Sequence, residues 1–150
     1  MAVLCRCNWR VRKSMAAQKA GFNIHVPFVE HLGVRITERG DGIVKLRLDP
    51  RPELTNSWGS VHGGVLMTLL DVALASAGRS LDDTCNGALT VEMKVNFIAA
   101  ANGPVIGEGR AQRAGRSLIF SEGELRSEDG TLLAKATGTF KLLYPKPDSV

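Results

Sequence analysis

His62, Gly63, Gly64 and Asp71 are residues that can do chemistry, and they fall within one short stretch of the chain. From Val61 to Gly78 the sequence reads VHGGVLMTLLDVALASAG, and Asp71 is the only formally charged side chain in those 18 positions. A carboxylate among apolar neighbours must find partners or favour its neutral form, because losing water is costly for the ion. No basic residue stands three or four positions from Asp71 to pair with it. A carboxylate in such a place suits a general base or a nucleophile. The competing reading is a carboxylate bonded to backbone or lying at an exposed edge.

The His62-Gly63-Gly64 run opens the same segment. If the segment is a helix, its first backbone N–H groups are free and its dipole end is positive, which favours an anion. Glycine lets a ligand approach the backbone closely, so the combination suits an oxyanion developing on a carbonyl. The competing reading is a plain loop-to-helix junction with His62 as a cap. Gly63 and Asp71 are eight positions apart, roughly 12 Å along a helix, and His62 and Asp71 point in nearly opposite directions. One helix cannot present both ends to a single carbonyl. Joint action on one substrate therefore requires two copies of the helix, which predicts a two-fold dimer with sites at the interface.

The surrounding pattern predicts what positions these groups. Val61–Arg79 reads as the one long helix, ended by Gly78 and the polar segment Ser80–Gly87. Stepped at 100° per residue, its apolar residues cover both sides, which predicts a helix buried all round. Before it, Val26–Leu32 reads as a short helix. Val34–Glu38 and Gly42–Asp49 read as strands joined by the turn signal Gly40-Asp41-Gly42. After it come four strands: Leu89–Phe97, Val105–Gln112, Ser117–Arg126 and Thr131–Leu143. In the first of these, Leu89, Val91, Met93, Val95 and Phe97 alternate with polar residues and are expected on one face. The order β-β-α-β-β-β-β, with consecutive hairpins, predicts an α+β fold in which an antiparallel sheet of five to six strands wraps one long central helix.

Composition narrows the classes of function. The chain has 150 residues and a formal charge of +4, from 19 Lys+Arg against 15 Asp+Glu. Residues 1–20 hold Arg6, Arg10, Arg12, Lys13 and Lys19 and no acid, leaving 14 basic and 15 acidic groups in the rest. The body is near neutral, whereas a nucleic-acid domain spreads a basic stripe over its fold, so no nucleic-acid partner is expected. Residues 1–20 are read as a basic N-terminal extension, and residues 21–150 as a single domain. For the extension, a disordered tail, a true start at Met15 and an organellar transit peptide are the three readings. Three cysteines, Cys5, Cys7 and Cys85, do not make a disulfide framework, and His25, His31 and His62 lack metal-ligand spacing. The apolar run Val65–Gly78 is too short for a membrane span. A soluble protein of the reducing cytoplasm, without a metal and without a membrane partner, is expected.

The pattern Asn56-x5-His62-Gly63-Gly64-x6-Asp71, on a loop that runs into a central helix before four strands, resembles the hotdog-fold acyl-CoA thioesterases. It is most similar to their phenylacetate-degradation (PaaI-like) branch, over about residues 24–144. The resemblance implies a homodimer, often paired into a homotetramer, that hydrolyses an acyl-CoA or aryl-CoA thioester to the free acid and coenzyme A without a cofactor. It implies that Asp71 activates water or attacks the thioester, and that the Gly63 N–H polarises the carbonyl. His62 and Asn56 then position thioester and water, and Thr90 orients the water. Gly64 belongs to the same substrate-binding turn. Arg113, Arg116 and Ser117 are the implied contacts for the phosphates of coenzyme A, with Arg110 a weaker candidate; an ordinary solvated turn is the other reading of that segment. Trp58, beside the site loop, has two readings, a wall of the acyl pocket or a packing residue, and packing is preferred. Two rivals remain: a hotdog hydratase or dehydratase, and a non-catalytic acyl-CoA binding protein.

Overall fold

The computed structural model describes residues 25–82, 84–114 and 117–145. The basic extension of residues 1–20 and the residue Arg116 lie outside them, as does the side chain of Arg113. The elements in chain order are α1 (Pro27–Leu32), β1 (Arg35–Gly40), β2 (Ile43–Leu48), a short 3-10 turn (Pro52–Leu54), α2 (Gly63–Arg79), β3 (Gly87–Phe97), β4 (Val105–Ala114), β5 (Leu118–Ser127) and β6 (Leu132–Leu143). The six strands form one antiparallel sheet in the order β1-β2-β4-β5-β6-β3, and α2 packs against it. The six-stranded antiparallel sheet on one long helix is what the element order predicts. Hairpins join β1–β2, β4–β5 and β5–β6, whereas β3 and β4 form no hairpin: β3 pairs with β6 at the edge and β2 pairs with β4.

Local chemistry explains the joints. Asp41 and Gly42 both adopt positive φ, 48° and 78°, which makes the β1–β2 connection a two-residue turn of the I′ kind that matches strand twist. The sheet can lie on α2 because its inward positions are small where the helix passes. A Cβ added at Gly109 would come within 2.4 Å of the Ala73 carbonyl oxygen, so only hydrogen fits there. Around this contact Val44, Leu46, Leu69, Leu70, Leu74, Val105, Leu125 and Phe140 are buried in one core cluster.

Two expectations are corrected. The first concerns α2, which is not buried all round. Val65, Leu66, Leu69, Leu70, Val72, Ala73, Leu74, Ser76, Ala77 and Gly78 are buried, but Gly63, Gly64, Met67, Thr68, Asp71, Ala75 and Arg79 are not. Those positions recur every three to four residues and form one stripe along the helix. The sheet of a single chain curls over only part of the helix circumference and leaves this stripe open.

The second concerns β3. Its register against β6 shifts between Thr90 and Glu92, with Thr90 opposite Phe140 and Met93 opposite Gly138. Val91 is thus the extra residue of a bulge, which breaks the strict alternation. Met93, Val95 and Phe97 share the inward face with Thr90, while Leu89 and Val91 are exposed. The bulge turns Thr90, rather than Val91, toward the helix.

Candidate active site

The loop before α2 is locked by its own backbone and side chains. His62 N donates to Leu54 O (2.8 Å), Val61 N donates to Ala101 O (2.8 Å), and Asn56 N donates to Ser60 O (2.8 Å). The Asn56 side-chain oxygen accepts from Trp58 N at 2.9 Å and from Ser60 N at 3.2 Å. Two donors on one atom identify it as the oxygen, so the Asn56 NH2 group is the part left to meet a ligand. Ser60 Oγ bonds Asn102 Oδ1 at 2.7 Å and ties this loop to the segment that follows β3. Trp58 stands at the tip of the loop with 87% of its surface exposed, so it is not packed within the single chain as the sequence suggested.

His62 is the N-cap of α2, and its Nδ1 accepts the Gly64 N–H at 2.9 Å. An accepting Nδ1 carries no proton, which puts the ring proton of the neutral imidazole on Nε2, where the exposed ring can donate it. The two glycines then differ in their reasons for being glycine. A Cβ at Gly64 would press to 3.0 Å from His62 Nδ1, so the cap favours glycine there. Its N–H is spent within the chain. A Cβ at Gly63 would meet nothing nearer than the Phe97 ring, at 3.6 and 3.7 Å, which is ordinary contact. Among the described residues no group accepts the Gly63 N–H, whereas Val65 N and Leu66 N both reach His62 O. Neither backbone conformation nor packing in this chain requires a glycine at position 63. What remains is a free donor at the positive end of a 17-residue helix, with the Phe97 ring beside it.

Asp71 lies two turns along, half-buried on the open stripe. Thr90 Oγ1 donates to Asp71 Oδ1 at 2.6 Å, which leaves Oδ2 available. The β3 bulge is what brings that hydroxyl to the helix. Asp71 and Thr90 therefore form one cluster, and His62 and Gly63 at the start of α2 form another, with Asn56 on the loop before it. In one chain the two clusters are held about 12 Å apart by the rigid helix between them.

Of the implied phosphate contacts, Ser117 and the weaker candidate Arg110 lie among the described side chains. Ser117 is exposed and its carbonyl accepts from Leu142 N at 2.9 Å, while Arg110 is paired with Glu108 at 3.0 Å on the outer face of the sheet. No cluster of three or more His, Cys, Asp or Glu that could hold a metal occurs among the described residues, and no described helix is long and apolar enough to cross a membrane. Cys85 is buried, with its Sγ 2.8 Å from Gly87 O. The feature that sequence reasoning missed is Phe97. Its ring lies against Gly63 although 55% of its surface is exposed, and no local pattern announces that contact.

Comparison with known proteins gives the family and the fold. The family model described as the thioesterase superfamily matches residues 59–134, which include His62, Gly63, Gly64, Asp71 and Thr90. The chain is 27% identical to the medium/long-chain acyl-CoA thioesterase YigI of Salmonella typhimurium, over 79% of this chain and 87% of that protein. Among solved structures it is similar to the conserved protein PA5202 from Pseudomonas aeruginosa, with 35% identity, a TM-score of 0.75 and coverage of 79% and 95% of the two chains. The E. coli PaaI protein from the phenylacetic acid degradation operon shares the fold, with a TM-score of 0.71, 19% identity and coverage of 77% and 83%. The six-stranded antiparallel sheet around one long helix is the hotdog fold, and the chain belongs to the thioesterase superfamily.

Proposed function

We propose that this chain is a homodimeric acyl-CoA thioesterase whose sites are each built from two copies. The observation that carries the reading is the pairing of an unpartnered Gly63 N–H with a half-buried Asp71 on the same helix, too far apart to meet one carbonyl. In the two-fold arrangement, Gly63 of one copy faces Asp71 of the other. The open stripe of α2 supports this. So does β3, the terminal strand of the sheet, which carries exposed Leu89 and Val91 and has one edge without a neighbour among the described residues. Unpaired strand edges and exposed apolar patches are surfaces that a second chain covers.

The chemistry follows from charge development. The thioester carbonyl oxygen accepts the Gly63 N–H, and the helix dipole stabilises the negative charge that forms on it. Thr90 holds one oxygen of Asp71, so the other faces the attacking water and takes its proton. The water oxygen bonds to the carbonyl carbon, the carbon–sulfur bond breaks, and the departing thiolate receives the proton. The products are the free acid and coenzyme A. Direct attack by Asp71 would give an anhydride that water then opens, with the same products. Asn56 and His62 offer N–H donors, NH2 and Nε2–H, that orient the carbonyl or the water. Neither route uses a metal or prosthetic group.

A donor on the thioester carbonyl serves hydrolysis and hydration alike, and the thioesterase family membership is what favours hydrolysis. Incubation of the purified protein with a panel of acyl- and aryl-CoAs is expected to release free thiol. Hydration of an enoyl-CoA without thiol release would indicate the hydratase instead, and tight CoA binding with no turnover would indicate a non-catalytic binder.

A further inference from the structure

We infer that Phe97 and Met67 form the apolar wall against which the acyl group lies, which makes them specificity-determining residues of the site; this rests on the thioesterase reading above. The Phe97 ring is the one neighbour that a Cβ at Gly63 would meet, at 3.6 and 3.7 Å, yet the ring remains 55% exposed. It stands at the end of β3 on the inward face, opposite Ala134. Met67 is also exposed and lies one helical turn beyond Gly63, on the same side of α2. One large apolar ring thus lies against the unpartnered N–H donor, and a second apolar side chain follows one turn along the same helix face. Concave sites that bind small molecules combine apolar walls with a few placed polar groups.

The two halves of the substrate differ in what they can meet here. The pantetheine arm is a chain of amides that needs hydrogen-bond partners, and neither side chain supplies one. The acyl group is hydrocarbon, and with its carbonyl oxygen on Gly63 its first carbons fall beside that donor. A ring fixed by β3 and a flexible thioether on the helix make a wall that adapts to chain shape while excluding water. Excluding water there also strengthens the bond from Gly63 to the carbonyl.

The test is the ratio of kcat/KM for octanoyl-CoA to that for acetyl-CoA, measured for the wild type, Phe97→Ala, Met67→Ala and Phe97→Leu. Removing an apolar contact of this size from an acyl pocket should lower the ratio about tenfold in Phe97→Ala. Met67→Ala should lower it less, and Phe97→Leu should restore most of it. The wall lies where the second copy packs in the proposed dimer, so circular dichroism and sedimentation of Phe97→Ala, expected to match the wild type, separate the effect from loss of folding or of the dimer. A ratio unchanged in Phe97→Ala, or the same fractional loss for both substrates, overturns the assignment. Failure of the underlying reading looks different: the wild type itself releases no thiol from any acyl-CoA.

Discussion

Replacing Asp71 with asparagine should lower kcat by about 10²–10⁴-fold, the range that a positioned general base supplies. The size of the effect follows from what the substitution keeps. Asparagine has the shape of aspartate, and its side-chain oxygen still accepts the Thr90 hydroxyl that now sits 2.6 Å from Asp71 Oδ1. The helix, the bulge and the open stripe therefore survive. What is lost is the ability to take a proton from water, or to attack the thioester, because an amide does neither. Sedimentation and circular dichroism should match the wild type while thiol release collapses. Retention of wild-type turnover by Asp71→Asn would remove the carboxylate from the mechanism.

Gly63→Ala should separate stability from activity. The position is helical, and the added methyl would find only ordinary contact with Phe97, so the fold accepts it. Restricting the unfolded chain at a compatible glycine typically stabilises by about 0.4–1 kcal/mol. The thermal midpoint should hold or rise slightly. The methyl nevertheless occupies space beside the one free N–H, and displacing the carbonyl by about 1 Å can cost about 10²-fold in rate. A more stable protein with kcat/KM reduced to that degree is the expected result. The opposite outcome, lower stability with unchanged activity, would mean that the glycine serves the fold and not a substrate. Gly64 is the useful contrast, because its missing Cβ is already explained by the His62 ring at 3.0 Å.

Much of this arrangement was legible in the sequence. The order of elements, the single long helix and the turn at Gly40-Asp41-Gly42 all follow from periodicity and turn chemistry, because each is a local signal. Asp71 was legible because a lone charge in an apolar helix is conspicuous. The β3 bulge was not. With Leu89 and Val91 on the same parity as Met93, Val95 and Phe97, an unbroken alternation is the simplest reading, and only pairing with β6 reveals the extra residue. That register shift is also what gives Thr90 its contact with Asp71, so the structural account of Thr90 lies in the sheet and not in its neighbours. The open stripe of α2 was hidden for a related reason: a helical wheel reports composition around the axis, not how far a sheet wraps. Phe97 beside Gly63 is a tertiary contact between residues far apart in the chain, and sequence pattern carries no trace of it.

The central claim is that each site takes Gly63 from one copy and Asp71 from the other, and mixing two defective variants tests it most directly. Asp71→Asn and Gly63→Ala chains, each nearly inactive as homodimers, are unfolded together and refolded at equal amounts. A heterodimer then holds one site with both defects and one site with neither. Random pairing should restore about a quarter of wild-type activity, far above either parent. A mixture that stays at the level of its parents, with heterodimer formation verified by differently tagged chains, would contradict the shared site.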